Sequence, residues 1–244
     1  IGGSLAEALE RVCDNQKRRY ALVQRTERAF LERGLSPEAH LENVMRGKKR
    51  KELRRQKNRL TEEGDLTFAR DNSAIGLEEW TQEFLALERR GWKGESRSAL
   101  ACADDTRTLL TEVLSGAAAA GRLERLDLRL DGRPLAMLVN FFCAPGSFSF
   151  KTAFDEDYAR FSPGVLLQIE NLALLEHPEI AWCDSCAAEG HPMIDGLWTG
   201  RRAVGRYSVA IGGSGRRAIF GAVLQAELAR SAPRKRHSET GDYA

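Results

Sequence analysis

Hydrophobic positions along the chain recur with two periods, and the switches between them lay out the expected elements. Over 5–33, polar and apolar residues mix at helical spacing, which predicts a helix that Gly34 ends. Ser36-Pro37-Glu38 predicts a second helix start, with Pro in the first turn, where its missing N–H is harmless. That helix is expected to run through to Leu60, with Gly64 closing it. DLTFAR at 65–70 alternates like a short strand. Over 77–92, Leu77, Trp80, Phe84 and Leu87 share one helical face, and 104–120 reads as a further helix, opened by two acids and closed by Gly121. Leu126, Leu128 and Leu130 alternate with Asp127 and Arg129, the mark of a half-buried strand. Asp131-Gly132 is a hairpin turn, and PLAMLVNFF at 134–142 is apolar enough for a strand covered on both faces. After Pro145-Gly146, a third strand carries Phe148, Phe150, Thr152 and Phe154 on one side. A helix is expected over 162–176, with Ser162 as N-cap and Pro163 at its first position. A strand over 180–184, an irregular stretch to about 202, a strand over 204–211 and a helix over 216–230 complete the pattern. The order from Asp65 gives a mixed α/β layer with an antiparallel meander in its middle. The expected divisions are a helical segment over 1–64, the α/β domain over 65–230 and a disordered basic tail over 231–244.

Composition narrows this only a little. The 244 residues, 42% hydrophobic and 30% charged, are ordinary for a soluble globular chain, and no apolar run of membrane-spanning length occurs. With neither an initiator Met nor a signal-peptide pattern at Ile1, we expect a piece of a longer or processed protein. Charge is uneven: 46–59 holds nine basic residues and one acid, +8, so the rest sums to −6 against a net +2. The five cysteines are odd in number and irregular in spacing, which points to a reducing cytoplasm and no disulfide framework. Cys183 and Cys186 form a C-x-x-C with His177 and His191 nearby, but no second such pair exists and the His spacing is wrong for zinc, so no metal is expected.

The candidate chemistry lies at 148–167, FSFKTAFDEDYARFSPGVLL. A strand ends, a short loop follows and a helix begins. The first turn of a helix leaves backbone N–H groups without partners, and its dipole favours anions. Gly164 permits close approach to the backbone and Arg160 adds a positive charge. A phosphate or pyrophosphate fits such a turn, although Ser-Pro-Gly also starts helices that bind nothing.

A strand, loop and helix start following a three-stranded meander resembles the acyl-CoA-binding segment of GNAT acyltransferases. The pattern formed by Phe150, Phe154, Asp155, Ser162, Pro163 and Gly164 is similar to a branch that includes the cellulose-biosynthesis-associated acetyltransferases and is related to the peptidoglycan cross-bridge aminoacyl transferases. The likeness extends to Leu53–Leu60 with Gly64, to FLALERRGWKG at 84–94 and to the Asp131-Gly132-Arg133-Pro134 hairpin, and covers roughly 46–211. It implies a mixed sheet with helices on both faces, splayed open at the fourth strand, with acetyl-CoA or another acyl-CoA in the splay as co-substrate. By the resemblance, Arg160, Phe161, Ser162, Pro163, Gly164 and Val165 hold the pyrophosphate. The usual Arg/Gln-x-x-Gly-x-Gly/Ala signature is not kept: Arg160 stands four residues before Gly164, Leu166 replaces the second small residue, and Pro163 has no N–H.

The implied reaction is direct attack of an amine on the thioester, which needs positioning, a proton acceptor and oxyanion stabilisation. The candidate bases are Asp155 and Asp184, at the ends of neighbouring strands, and His191 in GHPM; each also has a bland reading as a turn cap or packed loop residue. The loop over 184–202 is long and polar, so Trp198, Arg201 and Arg202, with Lys151 and Tyr158, are candidates for the acceptor, a small-molecule or peptidyl amine. A surface loop pinned by Trp198 explains the same residues. A rival class of function is a non-catalytic GNAT-like or nucleic-acid-binding adaptor using the basic helix over 46–59. No aromatic residue interleaves that helix, so we expect it to be an outer helix, held by Leu53 and Leu60, that binds no nucleic acid. A homodimer is compatible with the sequence.

Overall fold

The computed structural model describes residues 1–231, apart from the side chains of residues 92, 93, 230 and 231. The tail expected over 231–244 lies outside these residues, except for Ser231, which ends the last helix. Two compact units form: Arg28–Arg202, and Ile1–Glu27 together with the chain from Ala203 onward. The boundary expected between 64 and 65 falls inside the larger unit.

The smaller unit opens with α1 (Ser4–Asn15) and the first part of β1 (Tyr20–Glu32). One long helix was expected here. It stops because Arg18 N–H donates to Cys13 O and Lys17 takes a positive φ of 51°. In the following thirteen residues Val23, Ala29 and Leu31 are the buried positions. All three are odd-numbered, the two-residue period of a strand. The end of β7 (Gly200–Val209) and α9 (Ser214–Ser231) complete this unit.

In the larger unit, α2 (Pro37–Val44) starts at Ser36, whose hydroxyl accepts from Ala39 N–H at 3.2 Å. α3 (Gly47–Glu63) follows after Met45 turns extended and drops into the core, which breaks the expected continuous helix in two. α3 buries Leu53 and Leu60 and turns most of its basic residues outward. Then come β2 (Leu66–Asp71), α4 (Leu77–Arg90), the single turn α5 (Trp92–Glu95) and α6 (Asp104–Ala119). The meander is β3 (Leu123–Leu130), β4 (Arg133–Cys143) and β5 (Gly146–Phe154). α7 (Pro163–Glu170) is shorter than expected, its last six residues tightening into a 3-10 helix over Asn171–Glu176. β6 (Trp182–Asp184) and α8 (Pro192–Asp195) precede β7.

The seven strands run in the order β2-β3-β4-β5-β6-β1-β7, a mixed α/β sheet. Pairing is antiparallel from β2 to β5, parallel between β5 and β6, and antiparallel between β6 and β1. Strand alternation sends Leu126, Leu128 and Leu138 into one core with α3 and α7, and Met137 and Val139 into a second core with α4 and α6. Helices therefore cover both faces, and β4 reads as continuously apolar because it contributes to both cores.

Candidate functional site

The parallel contact between β5 and β6 is brief. Gly146, Ser147 and Phe148 pair with Trp182, Cys183 and Asp184, after which β6 ends while β5 continues to Phe154. Gly146 is obligatory at the start of this contact, since a Cβ there would lie 2.2 Å from the Trp182 ring. Beyond Phe148 the strands part, and a cavity of about 630 Å³ occupies the opening. β5 contributes Phe150, Lys151, Thr152 and Phe154; α7 contributes Pro163, Gly164, Val165 and Gln168; the segment after β6 contributes Ser185, Cys186, His191 and Met193. Phe150 is an extra residue in β5: Lys151 pairs with Val139 and Ser149 with Asn140, leaving Phe150 unmatched. Such a bulge bends a strand and frees its backbone groups from the ladder.

The first turn of α7 faces this space. Ser162 was expected to cap it, but Ser162 adopts a left-handed conformation with φ 54°, and no side chain caps the helix. That conformation is the C-terminal stop of the preceding 3-10 helix (Glu156–Phe161), so the residue that ends one helix starts the next. Pro163 has no N–H, and Leu166 N–H is bonded to Ser162 O. The N–H groups of Gly164 and Val165 are then the ones that helix geometry leaves for a ligand. Of the six residues assigned to the pyrophosphate, Ser162, Pro163, Gly164 and Val165 line the cavity. Arg160 and Phe161 do not: Arg160 points outward to Glu63 at 2.8 Å and covers the Phe161 ring, which belongs to the core.

The base candidates separate in space. Asp155 is buried beside the hairpin, takes an ion pair from Arg133 and caps the following 3-10 helix through Asp157 N–H. It does not line the cavity, and both carboxylate oxygens are committed. Asp184 is 2% exposed, accepts from Cys186 N–H at 2.9 Å, and lies behind the lining residues Ser185 and Cys186. His191 does line the cavity, and its Nδ1 is shielded from solvent with no hydrogen-bond partner.

Among the acceptor candidates, Lys151 lines the cavity and pairs with the buried Glu88 at 2.8 Å. Trp198 is 0% exposed and part of the core, so the expectation that it grips substrate is corrected: the loop pays its polar length back by plugging the core with this indole. Arg201 is used locally, donating to Trp198 O and Gly200 O and pairing with Asp195. Tyr158 packs on the core beneath the Arg133 guanidinium, away from the cavity. Arg202 stacks over Trp182 at 4.3 Å, near Asp184.

Sequence reasoning missed Gln168, Thr152 and Cys186. Gln168 is four residues after Gly164 and hence on the same helix face, a signal that was present. It anchors a buried amide chain: Gln168 Nε2 donates to Thr152 Oγ1, Asn171 Nδ2 to Gln168 Oε1, and Asn140 Nδ2 to both Asn171 Oδ1 and Glu124 Oε2. Cys186 is a poor nucleophile, because burial, with Asp184 nearby, pushes its thiol up to about 11; burial pushes Cys183 up to about 12. Among the described residues no group of three or more metal-ligating side chains converges, and no helix is long and apolar enough to cross a membrane.

A mixed sheet that parts between two parallel strands, with an uncapped helix N-terminus facing the opening, is the arrangement that the resemblance to GNAT acyltransferases leads one to expect. The model of the Acetyltransferase (GNAT) domain matches residues 47–191, more than half of the chain, and the chain belongs to that family. Membership supports acyl transfer in general. The fold is similar to the crystal structure of FemX, with a TM-score of 0.58 at 10% identity, over 89% of this chain and 71% of that one. A weaker likeness, TM-score 0.47 at 16% identity, covers 88% of this chain and 69% of the C-terminal domain of a putative lysylphosphatidylglycerol synthetase from Agrobacterium fabrum. No curated protein matches the sequence.

Proposed function

We propose that the protein transfers an acetyl or other acyl group from acyl-CoA to an amine by direct attack. The observation that carries this reading is the cavity between β5 and β6, onto which the first turn of α7 and His191 both open. The N–H groups of Gly164 and Val165, with the helix dipole, suit the pyrophosphate. The apolar side chains of Phe150, Phe154 and Met193 suit a pantetheine arm and acyl group. Backbone N–H groups freed at the Phe150 bulge are the candidates to receive the oxyanion that develops on the thioester carbonyl.

His191 is the proton acceptor in this scheme, being the one of the three base candidates that lines the cavity. The amine nitrogen bonds to the acyl carbon, the carbon–sulfur bond breaks, the amine proton passes to His191, and the CoA thiolate leaves to be protonated. An acyl-cysteine route is disfavoured, because the Cys186 thiol, with its pKa at about 11, stays protonated near neutrality. The test is calorimetric titration with acetyl-CoA and longer acyl-CoAs, followed by an amine panel read by free-thiol release. Failure of every acyl-CoA to bind the folded protein refutes the reading.

A further inference from the structure

Two arginines far apart in sequence meet at the end of β6. Arg28 comes from β1 and Arg202 from β7, and both converge on the buried Asp184. Their nearest approaches are 3.9 and 3.8 Å, beyond hydrogen-bond length, so neither fork closes on the carboxylate. Asp184 Oδ1 is meanwhile engaged by Cys186 N–H. Arg202 Nη1 is shielded from solvent and has no hydrogen-bond partner. Its guanidinium is held in place, lying 4.3 Å over the Trp182 ring and 5.7 Å from the centre of Phe30, and those two rings stack on each other at 5.6 Å. Among the described residues, Asp184 is the one carboxylate that pairs with either arginine, so the cluster carries one excess positive charge. It adjoins the cavity through Cys186, a lining residue whose thiol feels both guanidiniums as positive neighbours.

We propose that Arg28 and Arg202 form a carboxylate-binding site beside the cavity, so that the acceptor is an amine that also carries a carboxylate. This rests on the acyl-CoA reading above. The chemistry argues for a planar monoanion: guanidinium forks match carboxylate geometry, and one excess charge neutralises one carboxylate where a phosphate monoester would leave charge unmatched. Asp184 then acts as a positioning residue, keeping two like charges together until the ligand completes the pairing. Free amino acids and the C-termini of peptides share this chemistry.

The experiment compares L-amino acids and dipeptides with their C-terminal amides, using acetyl-CoA and thiol release. The carboxylate forms are expected to be preferred by tenfold or more in kcat/KM, roughly the worth of one charge-assisted hydrogen bond. Arg202→Gln and, separately, Arg28→Gln should remove most of that preference by raising KM for the carboxylate forms. The rate with the amides and the affinity for acetyl-CoA should stay near wild type. The amino acid and dipeptide arms tell the two sources apart. In parallel, thermal shifts with N-acetyl-L-amino acids and their amides report the carboxylate site without any donor. Equal turnover of carboxylate and amide forms overturns the proposal. So does a preference that survives both variants, or failure of a protein that binds acetyl-CoA to use any carboxylate-bearing amine. Absence of acyl-CoA binding strikes the parent reading instead; a carboxylate-specific shift lost in Arg202→Gln would then still support the site, and no such shift would remove it. Arg202 packs on the Trp182 ring, so both variants are checked for unchanged far-UV spectra and melting before comparison.

Discussion

Replacing Gly164 with Asp separates the proposed anion-binding role of α7 from its role in folding. Gly164 is the second residue of the helix and has no positive φ, so a side chain there creates no backbone strain. A Cβ would approach Met193 Sδ and Phe154 Cδ1 at 3.2 Å; the flexible Met193 thioether relieves the first contact, and the Phe154 ring must give by a few tenths of an ångström to relieve the second. An acid in the first helical turn gains about 0.3–1 kcal/mol from the dipole, which offsets much of that crowding. The free variant should therefore unfold within about 1 kcal/mol of wild type. Binding should behave very differently. A phosphate hydrogen-bonded to the Gly164 N–H would sit on the order of 5 Å from the new carboxylate. At an effective dielectric constant of about 20, that repulsion is about 3 kcal/mol per phosphate charge, or roughly a hundredfold or more in Kd. Gly164→Ala isolates the steric part and should cost less than about tenfold. Calorimetric titration with acetyl-CoA at about 0.15 M salt is the assay, with salt kept fixed because exposed charge is screened. A folded Gly164→Asp protein that binds acetyl-CoA as tightly as wild type would refute the placement of the pyrophosphate at this turn.

Three other outcomes follow from the same geometry. His191→Gln should lower kcat by about 10²–10⁴ while leaving acyl-CoA affinity within about threefold; near-normal turnover would send the proton elsewhere. Asn140→Leu should destabilise the fold by about 2–6 kcal/mol in urea unfolding, because Glu124 Oε2 and Asn171 Oδ1 each lose a buried donor; a loss under about 1 kcal/mol would mean that water replaces the amide. Changing the exposed Lys48, Lys51, Arg54 and Arg59 to Glu should leave folding intact, and the wild type should bind RNA and DNA oligomers no tighter than micromolar at about 0.15 M salt; submicromolar binding lost in the variant would make nucleic acid a primary ligand.

How far the sequence disclosed the site depended on whether the signal was local. The meander, its Asp131-Gly132 turn and the position of the α7 start follow from short-range patterns, and all appear where expected. β1 was hidden because only three of its thirteen residues are buried, so its two-residue period is diluted by polar positions. Ser162 was misread as a cap because Ser before Pro usually is one; the preceding 3-10 helix, which demands a left-handed stop, is invisible in the pattern. Trp198 in a polar loop looks like an exposed grip, and only the packing of the larger unit shows it as core. The commitment of Asp155 to Arg133, and the meeting of Arg28 with Arg202, are products of sheet topology that no local period encodes.

In the proposed reaction both ends of the opening receive an anion, by different means and with little ionic charge in the lining itself. At the α7 end the attraction for an anion comes from backbone N–H groups and a dipole, which need no side-chain ordering when a ligand arrives. Arg160, the cation expected there, is instead neutralised by Glu63 on the outside. At the β6 end the attraction comes from two guanidiniums held apart from full pairing by the geometry of Asp184. The same cavity is lined by His191, whose Nδ1 has no internal partner, and Cys186, whose thiol is held in its neutral form. An amine anchored by its carboxylate at the second end would place its nitrogen back toward the cavity, where the thioester of a donor anchored at the first end would lie. Direct transfer needs that convergence and nothing covalent from the protein, so the separation of the two anion sites by one parting of the sheet is what ties the proposed reaction to this fold.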